Sequence, residues 1–164
     1  GLYFLRERIA MEYLKSFGID TGDPQEEAFY GLVLVYNILF DRVSDYLQDW
    51  RLTPAQFNIL MVVDKHGKEK GISQVDISKK LIVTPSNTTR LLEKMETEQL
   101  IVRSALQGDR RVNLVRVTPK GSSLLDKVWP GYKKTLQEAV EVLNGEDQKQ
   151  AASLLLRWLN RLGV

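Results

Sequence analysis

The side chains able to do covalent or metal chemistry are few in this 164-residue chain. There is no cysteine and one histidine, His66. Thiol nucleophiles, disulfides and redox sensing through a thiol are therefore excluded, and so is a zinc site of several His or Cys ligands within one chain. A serine–histidine–aspartate arrangement would have to use His66, and no serine stands in a nucleophile motif. His66 precedes Gly67, where an imidazole at a helix end can meet the last carbonyls and the helix dipole. The run Gly67-Lys68-Glu69-Lys70-Gly71 is glycine-flanked and basic but lacks phosphate-loop spacing. The residues thus point away from an enzyme, a metal centre and a cofactor.

What remains is charge. Residues 79–120 hold nine bases, Lys79, Lys80, Arg90, Lys94, Arg103, Arg110, Arg111, Arg116 and Lys120, against four acids, Glu93, Glu96, Glu98 and Asp109. That segment carries an excess of +5 within a total of +2, which leaves −3 for the rest. A basic middle between acidic flanks suits a polyanionic partner, although a solvated charged face has the same composition.

These side chains need a scaffold, and the chain punctuates it with helix caps. Asp23-Pro24 with Glu26 marks one start. Thr53-Pro54 with Gln56 is a capping box, Ser73 with Asp76 is another start, and Thr84-Pro85, Thr118-Pro119 and Asn144 with Asp147 complete the set. Helices are expected over 2–17, 24–49, 54–66, 74–81, 85–98, 119–143 and 146–162. Between the fifth and sixth, Leu100-Ile101-Val102 and Val112 to Val117 read as two strands around a turn at Gln107-Gly108-Asp109. Apolar stripes on the terminal helices (Phe29, Leu32, Tyr36, Leu39 and Val43; Leu154, Leu155, Trp158 and Leu162) exceed what a small middle domain buries. A second copy of the chain would cover them.

No uncharged apolar run reaches membrane-spanning length; the longest, Ala28 to Phe40, has 13 residues. Gly1, standing where an initiator methionine is expected, reads as a cloning remnant. Arg6, Glu7, Arg8 and Glu12 interrupt any signal-like core, and with no cysteine a cytoplasmic protein is expected.

Three short helices followed by a hairpin is the order of a winged helix-turn-helix. The stretch Thr84-Pro85-Ser86-Asn87-Thr88-Thr89-Arg90 is followed by Asp109, Arg111, Val117, Thr118 and Gly121 at the spacing of a wing signature. On these residues the chain resembles the MarR family of bacterial transcriptional regulators over about residues 24–162. It departs at Ile82, where glycine is common, and at Gln99, where a helix-ending glycine is usual. The expected fold is mainly α with a small β-hairpin. It comprises an N-terminal extension (1–20), a dimerisation helix (21–52), a winged DNA-binding region (53–118) and C-terminal dimerisation helices (119–164). The resemblance implies a homodimer with interlocked terminal helices, two winged domains on a palindromic operator in double-stranded DNA, and a small phenolic or anionic effector that releases it.

Within that motif, Leu91, Leu92 and Met95 face the core at 100° per residue, with Thr88 in the same arc. Ser86 and Arg90 point away, and Asn87 and Thr89 flank them. Arg90 suits guanine and Asn87 suits adenine; the bland reading of Ser86, Asn87 and Thr89 is surface or capping. At the wing, Arg110 or Arg111 can enter a minor groove while the other pairs with Asp109. Lys79, Lys80 and Lys120 are candidate phosphate contacts. Tyr30, Tyr36, Tyr46 and Trp50 line either an effector pocket or a dimer core. The competing reading is a winged-helix protein–protein module, which an exposed apolar recognition face would indicate.

Overall fold

The computed structural model describes residues 2–19, 22–83, 85–106 and 109–163, with the side chains of 2–7, 106 and 109–112 outside the described set. Two compact units make up the chain, residues 1–42 and 43–164.

In the first unit, α1 (Leu2–Ser16) is followed by the start of α2 (Pro24–Gln48). Gly18 closes α1 at φ +77°, the left-handed region that glycine enters without a Cβ penalty. Asp23 accepts from the Gln25 N–H at 2.8 Å, so the expected start of α2 forms. A cavity of about 330 Å³ lies against Phe17, Ile19, Tyr30 and Val33.

The second unit holds the end of α2, then α3 (Pro54–Gly67), β1 (Ile72–Ser73), α4 (Gln74–Lys80), α5 (Thr88–Thr97), β2 (Ile101–Leu106), β3 (Asp109–Val117), α6 (Pro119–Val140) and α7 (Gly145–Arg161). The capping box at α3 is complete: Gln56 N–H donates to Thr53 Oγ1 and Thr53 N–H donates to Gln56 Oε1. Leu47, Phe57, Leu60, Val63, Ile77, Leu92, Met95, Ile101, Val115 and Val128 form one core that binds α3, α4, α5, α6 and the sheet together. The sheet is antiparallel in the order β1–β3–β2. Its third strand pairs Ile72 with Val115 and was absent from the sequence reading, because two residues carry no alternation to detect. The hairpin strands are also longer than expected, with a register shift between Ala105 and Leu106.

Two joints fix the winged region. Thr118 caps α6, accepting from Gly121 N–H at 3.1 Å, and its hydroxyl donates to the Gln99 carbonyl just after α5 at 2.6 Å. At Gly121 a Cβ would collide with the Leu100 carbonyl, so the glycine of the wing signature is there for close approach. Glu96 at the end of α5 receives Arg103 of β2 through Nη2 at 2.6 Å and the Arg103 backbone N–H at 3.0 Å.

No residue of α7 is buried, and Leu154, Leu155, Leu156, Trp158, Leu159 and Leu162 are exposed along it. No described helix is long and apolar enough to cross a membrane.

Candidate nucleic-acid interface

The outward face of α5 is assembled in three steps. Ile77, Leu92 and Met95 are fully buried and lock α4 and α5 onto the core. Asn58, on α3 and nearly buried, holds the turn between those helices: its Oδ1 accepts both the Ile82 N–H at 2.8 Å and the Val83 N–H at 3.0 Å. This explains how the turn forms without glycine at Ile82, whose side chain is left 89% exposed. The sequence reading missed Asn58, since an amide 24 residues from the turn signals nothing by local pattern. Asn87 then caps α5, its Oδ1 accepting from the Arg90 N–H at 2.9 Å.

That cap corrects an expectation. The helix begins at Thr88, not at Pro85, and Asn87 rather than Thr84 is its cap; Thr84 lies outside the described residues. Two assignments change with it. Ser86 is exposed but precedes the helix, so the 100° rule does not place it. Asn87 spends on the cap the oxygen that a bidentate contact to adenine uses.

Arg90 is exposed in the first turn of α5, and its guanidinium pairs with no described residue. Thr89 is exposed beside it and accepts a hydrogen bond from Gln74 Nε2 at 2.6 Å. Glu93 and Lys94 continue the face and are exposed too, so the α5 surface is polar throughout. The exposed apolar side chains nearest in sequence, Val75 and Ile82, belong to α4 and the turn.

The basic cluster divides by partner. Arg103 is consumed by Glu96, which holds the Glu96 carboxyl below its ordinary 4.5, chiefly through the side-chain hydrogen bond. Lys120, expected at phosphate, donates to the Glu98 carbonyl at 2.7 Å, and Arg116 donates to the Glu69 carbonyl at 3.3 Å. Lys94 pairs with Glu98 and Lys79 with Asp76, both loosely and in solvent. Lys80 is exposed without an ion pair among the described residues. Asp109, Arg110 and Arg111 start β3, which brings them to the hairpin end; their side chains lie outside the described set.

A second cavity, of about 600 Å³, opens beneath the turn. Met61, Ile82, Leu125 and Trp129 give it an apolar wall, while Lys65, His66 and Lys80 with Asp64 and Asp126 give it charges of both signs. Partial desolvation, then the Lys80 and Lys65 ammonium groups, keep His66 below its ordinary 6.5. His66 stands in the last turn of α3 as expected, but it makes no hydrogen bond to the α3 carbonyls among the described residues. Tyr46 and Trp50 do not line this cavity. Tyr46 donates to the Val128 carbonyl at 2.8 Å, and Trp50 is half-buried against the core. Tyr30 borders the cavity of the first unit, and Tyr36 is exposed with its ring 5.6 Å from Phe40. No group of three or more His, Cys, Asp or Glu among the described residues is placed to hold a metal.

Comparison with known proteins agrees with this geometry. Residues 52–112 match the model of the MarR family. The chain is 26% identical over 129 residues to the HTH-type transcriptional regulator MhqR of Bacillus subtilis, covering 79% of this chain and 87% of that one. It is 32% identical over 103 residues to the HTH-type transcriptional repressor MdtR of the same organism, covering 63% and 64%. Among solved structures, that of BpsR from Bordetella bronchiseptica, whose DNA binding is regulated by 6-hydroxynicotinic acid, superposes with TM-score 0.70 at 25% identity, covering 84% of this chain and 96% of that one.

Proposed function

The chain belongs to the MarR family, and on that premise we propose that it is a transcriptional repressor that binds a palindromic operator in double-stranded DNA as a homodimer. The observation that carries the reading is the outward face of α5: a rigidly seated helix start with exposed Arg90 and Thr89, polar throughout, and no partner for the arginine among the described residues. A guanidinium that pairs with none of the described residues is available for two hydrogen bonds to guanine O6 and N7. Residues 53–118 act as the DNA-binding region. Residues 21–52 and 119–164 act as the dimerisation region, with 1–20 an extension. Arg110 or Arg111 sits in the flanking minor groove, and Lys79 and Lys80 contact phosphate. The repressor sense is supported by the name of the MdtR relative.

A small aromatic or anionic effector is the finer part of the proposal. It is supported by the 600 Å³ cavity, which touches both Asn58 and the Ile82 turn that precedes α5. This moves the candidate pocket away from Tyr46 and Trp50. A ligand favouring one position of that turn changes DNA affinity, and DNA changes ligand affinity by the same factor.

The test is a set of titrations at several salt concentrations on operators varied at inner and flanking positions. Arg90→Ala is expected to cost about 1–3 kcal/mol per half-site and to relax preference at one symmetric pair of positions. Lys80→Ala is expected to weaken binding for every sequence and lower the salt slope by roughly one unit per contact. Equal loss on all sequences for Arg90→Ala makes it a phosphate clamp and removes the readout.

A further inference from the structure

Gln74, the first residue of α4, donates from Nε2 to Thr89 Oγ1 on α5 across 2.6 Å. The bond fixes what Thr89 has left to offer. A hydroxyl carries one proton and two lone pairs. Within helices that proton commonly turns back to the carbonyl four residues earlier, as Ser78 does to Gln74 at 3.1 Å and Thr97 to Glu93 at 3.0 Å. Thr89 is the second residue of α5, the residue four before it lies outside the helix, and no such bond forms. Among the described residues its proton therefore has no acceptor, while one lone pair is filled. An O–H that accepts one hydrogen bond is a stronger donor in the next.

We propose that Gln74 is a positioning residue that presents Thr89 to the major groove as a hydrogen-bond donor, so that the base facing Thr89 on the contacted strand is chosen for an acceptor edge, guanine N7 and O6 or thymine O4, against cytosine, whose N4 amino group only donates. One position of the operator is then read by a pair of side chains on two helices. This inference rests on α5 being the DNA-reading helix.

The experiment uses the full-length chain and duplexes selected by the wild type from random double-stranded DNA, with single-base variants of the enriched site. Four variants are compared: Thr89→Val, Gln74→Met, the double variant, and Gln74→Glu, with melting temperatures confirming that each folds. The wild type should discriminate about three- to tenfold at one symmetric position, the worth of one hydrogen bond. Thr89→Val removes that preference. Gln74→Met reduces it at the same position, and combining the two loses nothing more than Thr89→Val alone. Gln74→Glu is the sharpest arm. The carboxylate accepts the hydroxyl proton and leaves Thr89 only lone pairs, so the preference on the contacted strand moves to cytosine or adenine, whose N4 or N6 amino group donates. The added charge lowers affinity for every sequence alike and does not imitate that change. Retention of the wild-type preference in both Gln74→Met and Gln74→Glu overturns the proposal, as does an unchanged preference in Thr89→Val. A wild-type chain that enriches no sequence instead overturns the DNA reading on which the proposal stands.

Discussion

Asn58, Glu96 and Arg90 show three fates of a polar side chain in this fold. Asn58 is spent on two backbone donors of the turn. Replacing it by leucine strands both N–H groups and should cost about 1–3 kcal/mol in denaturant unfolding, with faster hydrogen exchange at Ile82 and Val83. Unchanged exchange there contradicts the assigned role. Glu96 is spent on Arg103. Its carboxyl lies below the ordinary 4.5 in the folded chain, so its stabilisation is fully present above that value and fades as pH falls through the lower folded value. Glu96→Gln should lower stability at neutral pH and flatten the acid limb below about pH 4.5; an acid limb identical to wild type disconnects the pair from folding. Arg90 pairs with none of the described residues, and it was legible in the sequence because helical angle alone turns it outward. The partners of Asn58 and of Thr89 were not legible, because their contacts join residues 24, 25 and 15 positions apart and no local pattern encodes those distances.

Among the elements, the caps were the most readable part of the chain. Thr53, Ser73, Thr118 and Asn144 each cap the helix that the sequence assigns to them. Thr-Pro at 84–85 was the exception. Asn87, three residues on, caps α5 by accepting from the Arg90 N–H, and the helix starts about a turn later than expected. The two departures from the family pattern also resolve in backbone terms. Ile82 is tolerated because Asn58 supplies the hydrogen bonds of the turn. Gln99 adopts φ +60° after the end of α5, where a residue with a Cβ is strained. Gln99→Gly should therefore raise stability by about 0.5–1 kcal/mol, read as a higher denaturation midpoint at unchanged slope. Gly121→Ala should do the reverse, losing about 1–3 kcal/mol through collision with the Leu100 carbonyl. A neutral Gly121→Ala would mean that the joint between α5 and α6 is looser than described.

On the scale of the whole molecule, most of the two stripes that the sequence places on the terminal helices is uncovered. Phe29, Leu32 and Tyr36 of α2 and Leu154, Leu155, Trp158 and Leu162 of α7 are exposed, with Leu159 beside them, whereas Val43 packs on the core. That extent of apolar surface is what a subunit interface leaves when one copy is viewed alone. Light scattering should give about twice 18.8 kDa, and Leu155→Glu with Leu159→Glu should shift the chain toward monomer while the 43–164 core, which excludes both side chains, stays folded. A wild-type monomer at micromolar concentration removes the basis for a symmetric operator. The most direct test of the central claim is selection of bound fragments from random double-stranded DNA by the wild-type chain. A dimer with one α5 per half-site predicts an inverted repeat whose half-site centres lie about 10 base pairs, or roughly 34 Å, apart. Enrichment of no sequence, or of a single unrepeated site, contradicts it.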